Sequence, residues 1–203
     1  MKNPLSGRGQ RGFTLIEMLV VLAVMAILML FAAPAIQTSI HQAKMRGIAQ
    51  EVTVLMRQAR MDAIKTSAQA VVRLVPKSAD TPFLQVQAFS DRDSDGKLGA
   101  NEPVLGTFPL PTGVTFLAPS NLTDKNSVEG FSPNADDTSG ANVALFQRDG
   151  SIAAVGAFRF GDQSGNFLEV RVEPAATARI ELRKWQNSQW LASGDSGKAW
   201  TWE

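Results

Sequence analysis

An apolar run near the N-terminus constrains this chain more than any other feature. No charged residue occurs from position 18 to position 40. Residues 13–33 are Phe, Leu, Ile, Met, Val and Ala throughout, apart from Thr14 and Glu17. About 20 such residues, wound as a helix, cross a hydrocarbon core. Lys2, Arg8 and Arg11 precede the run with no acid among them. That basic flank should stay cytoplasmic, with everything after the run on the far side. Glu17 sits five residues into the run. A carboxylate at that depth is costly in lipid, which points to a functional role with a partner. A secretory signal cut near Ala33-Pro34-Ala35 is one alternative, but Glu17 would interrupt its apolar core. A plain anchor is another, and it has no use for the glutamate.

The stretch Arg11-Gly12-Phe13-Thr14-Leu15-Ile16-Glu17 resembles the class III signal of type IV pilins and type II secretion pseudopilins. The resemblance implies cleavage by a prepilin peptidase after Gly12 and methylation of the new N-terminal residue, Phe13. It also implies that Glu17 pairs with the amino terminus of a neighbouring subunit during assembly. The expected partners are other pilin or pseudopilin subunits, the prepilin peptidase and the inner membrane. The expected topology is single-pass, with a cytoplasmic N-terminus and a periplasmic C-terminal domain in a pilus or pseudopilus. The chain then reads as 1–12 leader, 13–40 transmembrane and assembly helix, 41–66 amphipathic continuation and 67–203 periplasmic β-rich domain.

Composition narrows the chemistry. The 203 residues hold 20 basic and 19 acidic side chains, a net +1. Loss of the three leader cations leaves about −2, which gives no support for general nucleic-acid binding. There is no cysteine, so thiol catalysis and cysteine-based zinc sites are excluded. The one histidine, His41, leaves no basis for a Ser-His-Asp triad or a multi-histidine metal site. A structural subunit, not an enzyme, is expected.

Past Pro34, where a kink is expected, Met45, Ile48, Ala49, Val52, Leu55, Met56, Ala59 and Ala63 recur at three- and four-residue steps. They form one apolar stripe on a helix running to about Thr66. Strand patterns follow at 70–75, 83–89, 104–108, 113–117, 143–146, 152–160, 167–172 and 179–185. The polar segment 119–140 reads as a long loop. The fold class is therefore α+β: a long N-terminal helix, membrane-spanning in its first half, packed by its second half against an antiparallel sheet or sandwich. Ala59-Arg60-Met61-Asp62-Ala63-Ile64 and Phe146-Gln147-Arg148-Asp149-Gly150-Ser151 are similar to the helix end and the aromatic-x-x-x-Gly turn of the GspH/FimT group of minor pilins and pseudopilins.

Asp91-Arg92-Asp93-Ser94-Asp95-Gly96-Lys97-Leu98-Gly99-Ala100-Asn101-Glu102 fits the twelve-residue calcium loop. Asp91, Asp93, Asp95 and Glu102 would supply side-chain oxygens and Lys97 its carbonyl. Pro103 and the flanking strands make this a loop between strands rather than a helix–loop–helix. A solvated acidic turn is the alternative, and a membrane-anchored calcium-binding protein is a second functional reading. A third is a DNA-binding competence minor pilin using Arg179 and Arg183 beside Trp185 and Trp190. Some FimT-like subunits carry Gly-Arg-x-Arg at this point. Here the residues are Ala178-Arg179-Ile180-Glu181, and the glutamate has the wrong sign for phosphate. Trp200 and Trp202 are candidate anchors for a partner.

Overall fold

The structure, a computed structural model, describes residues 13–76, 83–122, 126–135 and 141–192; side chains at 31–35, 38, 76 and 83–84 are outside that description. Trp200, Trp202 and the leader with Gly12 lie outside the described residues. The chain divides into two units, Met1–His41 and Gln42–Glu203.

Helix α1 (Leu15–Thr66) is assigned without a break, through Pro34. In the first unit its described apolar side chains face outward. Leu15, Leu22, Leu28 and Leu30 are all well exposed. Among the described residues no helix is long and apolar enough to cross a membrane.

In the second unit the apolar stripe behaves as its spacing requires. Met45, Ile48, Ala49, Val52, Leu55, Met56, Ala59 and Ala63 are all buried in one core cluster. Ala68 and a left-handed Ser67 (φ 52°) follow directly, so the chain turns sharply into the first strand. Three of the stripe positions are alanines with no exposure, where the helix backbone can approach its neighbours closely. Ala59→Leu should therefore cost about 1–3 kcal/mol by overpacking. Glu51→Ala, on the exposed face, should stay within about 0.5 kcal/mol. Denaturant titration of the full chain in detergent compares the two.

Ten strands follow among the described residues: β1 (Gln69–Pro76), β2 (Phe83–Asp91), β3 (Val104–Pro109), β4 (Val114–Thr115), β5 (Val128–Gly130), β6 (Ala144–Phe146), β7 (Gly156–Asp162), β8 (Phe167–Val172), β9 (Ile180–Gln186) and β10 (Gln189–Ala192). They form two antiparallel sheets, ordered β3-β2-β1-β6 and β10-β9-β8-β7-β4, with β5 also pairing β7. Ala70, Val72, Leu74, Val86, Ala88 and Phe146 from the first sheet share the helix core with Phe158, Phe160, Leu168, Val170 and Val172 from the second. Period-two alternation in each strand puts these residues on one face.

Four expectations need correction. The segment 119–140 is not all loop: Val128–Gly130 pairs with Phe158–Gly156 of β7. Strand β4 shrinks to two residues, held by Val114↔Asp162 and Thr115↔Gly161. The run 152–160 is strand only from Gly156; Ile152 makes a single bridge to Phe146. The last strand of the sheet is β10, reached from β9 through Asn187 and Ser188, both left-handed.

Candidate functional site

At the N-terminus Thr14 and Glu17 cap helix α1 reciprocally. The Glu17 backbone N–H donates to Thr14 Oγ1 at 3.3 Å. The Thr14 N–H makes a long bond of 3.5 Å to Glu17 Oε2. This is a capping box, with Thr14 at the cap and Glu17 three residues in. The sequence carried its signature, Thr-x-x-Glu ahead of an apolar run, beside the assembly motif that overlaps it. Phe13 is 77% exposed. An amine created there by cleavage would be two residues from the helix start, close to Glu17 along the chain.

The two segments similar to the GspH/FimT group are far apart in sequence and meet in space. Arg60 Nε donates to the Gly150 carbonyl at 2.9 Å. Gly150 is left-handed (φ 80°), and a Cβ there would lie 2.6 Å from Ile64 Cδ1. Glycine adopts that φ without strain and leaves Ile64 its place. Asp149 Oδ1 accepts from the Ser151 N–H and hydroxyl, at 2.9 and 2.6 Å. These bonds hold its carboxyl below the usual range. The turn is a docking feature of helix against sheet.

The aspartate loop joins β2 to β3. Asp91, Asp93 and Asp95 each bring one carboxylate oxygen to within 4.8 Å of the others. Asp93 Oδ1 accepts from the Asp95 N–H at 3.2 Å, and Asp95 Oδ1 from the Lys97 N–H at 2.7 Å. Asp91 Oδ2 accepts from the Gly96 N–H at 3.0 Å. Gly96 is left-handed (φ 76°). Leu98 packs on a small cluster of Val71, Phe89 and Val143 on the outer face of the first sheet. Burial pushes the Asp91 carboxyl up, and the charges of Glu102 and Asp93 add to this against the hydrogen bonds from Gly96 and Ser94.

Glu102 closes the loop. Its Oε1 accepts from the Arg92 N–H at 2.6 Å and its Oε2 from the Gly99 N–H at 2.8 Å. Both oxygens are thus engaged in tying the two ends of the loop together, and Glu102 is not among the three grouped carboxylates. Backbone donors take both of its oxygens.

The prokaryotic N-terminal methylation motif matches residues 7–33, and the family described as type II transport protein GspH matches residues 48–177. The chain belongs to the GspH family. Comparisons with curated proteins and with solved structures returned no significant match. Membership makes this GspH-family chain a pilin- or pseudopilin-type subunit, structural by family rather than enzymatic.

In this GspH-family chain the two arginines considered for DNA are engaged with acids. Arg179, 71% exposed, pairs with Glu181. Arg183 donates to Glu173 and, at 2.9 Å, to Glu181. Arg179 and Glu181 also line one groove with Arg57, Val54 and Leu182, so a carboxylate stands beside the cations there. The pairing extends into a ladder on the outer face of the second sheet. Arg159 Nε donates to Glu169 Oε2 at 3.2 Å and its Nη2 to Glu129. Arg171 Nη1 bonds Glu129 at 2.9 Å and its Nε bonds Glu173 at 2.7 Å. Trp190 lies over Arg159, 5.7 Å from guanidinium carbon to ring centroid, and edge-on to Trp185.

Proposed function

We propose that the chain is a minor pseudopilin or pilin, made as a precursor and processed between Gly12 and Phe13. The new amine on Phe13 is methylated. The segment 13–40 crosses the inner membrane, with residues 1–12 cytoplasmic and 67–203 periplasmic. The subunit then enters a filament through helix α1, and the family match favours a type II secretion pseudopilus over a pilus.

The observation that carries this reading is helix α1 itself. It starts inside the methylation motif and ends inside the matched domain. Its apolar side chains at 13–30 are exposed, and apolar surface on that scale calls for lipid or like helices around it. Glu17 is exposed near its start and makes local capping bonds with Thr14. On processing it can exchange the long bond to Thr14 for an ammonium group, a stronger, charge-assisted partner.

The test is the intact mass of the membrane-extracted protein from cells with and without a prepilin peptidase. Loss of residues 1–12 and gain of one methyl group, only with the peptidase present, is expected. An uncut chain, or a cut after Ala35, would sink the proposal. Glu17→Ala should be processed normally and fail to enter filaments.

A further inference from the structure

We propose that Asp91, Asp93 and Asp95 form a binding site for one calcium ion. Three carboxylates with oxygens within 4.8 Å of one another are by themselves only an acidic cluster. The second observation is Asp91. It is fully buried, and its Oδ1 has no hydrogen-bond partner. Burying a carboxylate oxygen without a partner is costly. The neighbouring charges that act on it are Glu102 and Asp93, both negative, so they add repulsion rather than relief. A cation held between the three aspartates would give the buried carboxylate a partner and cancel the repulsion.

The scaffold around the three oxygens is already set. The Asx bonds to Asp95, Lys97 and Gly96 fix the loop backbone. Leu98 anchors one side in an apolar cluster. Arg148 Nη2 bonds Ser94 Oγ at 3.3 Å on another, and Glu102 clamps the ends. Oxygen-only donors select a hard cation rather than zinc or copper. An irregular loop, with no octahedral cage, favours calcium over magnesium. Because Glu102 is spent on Arg92 and Gly99, the site lacks the bidentate glutamate of the tight twelve-residue loops, and water must complete the shell. The affinity should accordingly fall in the weak class, with Kd about 10⁻⁴–10⁻³ M.

This inference stands apart from the processing and assembly reading, since ion binding and N-terminal mass are separate readouts. The experiment is calorimetric titration of calcium chloride into the full chain in detergent, stripped of metal beforehand, with magnesium chloride in parallel. Thermal melts are recorded with and without about 10 mM of each ion. One site per chain is expected, with magnesium about tenfold or more weaker and a higher Tm in calcium. Asp93 and Asp95 are exposed, so the double variant Asp93→Asn/Asp95→Asn should fold. It should lose calcium affinity by about tenfold or more while its metal-free Tm holds or rises. No saturable heat and no Tm shift in calcium would overturn the site. So would unchanged binding by the double variant, or equal binding of magnesium.

Discussion

Replacing Arg159 with methionine should lower the unfolding free energy at neutral pH by about 3–5 kcal/mol. The effect follows from what is left behind. Glu169 is fully buried beneath the ladder, and Arg159, itself 3% exposed, makes its one direct hydrogen bond among the described residues. Arg171 and Arg183 stand farther off, 3.9 and 3.8 Å from Oε1. Without Arg159 the carboxylate keeps its desolvation and loses its principal donor. The double variant Arg159→Met/Glu169→Leu should recover much of the loss, because a matched apolar pair replaces a matched ionic one. Urea unfolding of the full chain in detergent, followed by tryptophan fluorescence, measures all three proteins. Equal losses in single and double variants would show that packing, not charge, is at stake.

The pH dependence of that loss has a defined sign. Burial holds the Glu169 carboxyl above its ordinary 4.5, against the hydrogen bond from Arg159 and the charges of Arg171 and Arg159. A carboxyl raised on folding contributes stability that is full below about pH 4.5 and is lost as pH rises through its folded value. Arg159→Met raises it further, so the deficit should be largest at neutral pH and shrink as pH falls through that value. Glu173 runs the other way. Hydrogen bonding from Arg171 holds it low despite some burial, with Arg183 assisting. Its contribution is present above about pH 4.5 and lost as pH falls through its folded value. It belongs to both proteins and cancels in the difference.

Phe158→Ala should cost a similar amount, about 3–5 kcal/mol, by a different route. Phe158 has no exposure, lies in the core shared by helix and both sheets, and packs on Phe131 with ring centroids 5.0 Å apart. Strand β7 is paired on both sides, by β8 and by β4 and β5, so the backbone has little freedom to collapse into the void. This deficit should be flat across the pH range where the Arg159 deficit changes. The two neighbours in sequence, on opposite faces of one strand, then separate cavity cost from charge cost.

Much of this was legible in the residues because one face of each element is apolar. The helix stripe from Met45 to Ala63 and the long strands show unambiguous periods, and the helix does end at Thr66. Strand β5 was illegible because Val128-Glu129-Gly130 is too short to alternate and sits in polar sequence. Its reason for pairing is tertiary: it covers the free edge of β7. Strand β10 was missed because its turn, Asn187-Ser188, lacks the glycine that usually marks left-handed pairs. In the candidate site the aspartates and Gly96 were readable from spacing. The engagement of Glu102 was not, since backbone donors leave no pattern in side-chain identity. Likewise the alternation of Arg179, Glu181 and Arg183 with apolar residues signals a strand but not the acids Glu169 and Glu173 that meet Arg183 from β8 and the residue after it.

That charged ladder also guards against misassembly. In the native alignment Glu169 faces Arg183 and Arg171 faces Glu181. Sliding β9 by one residue would turn Ile180 and Leu182 out of the core. Sliding it by two keeps the faces right but sets Arg171 against Arg183 and Glu173 against Glu181. Two residues in the opposite direction set Glu169 against Glu181 and Arg171 against Arg179. Like charges directly opposite are repulsive, and here they would be partly buried as well. Each near-miss hairpin therefore carries its own penalty, and the charges proofread the zipping of the sheet one pair at a time.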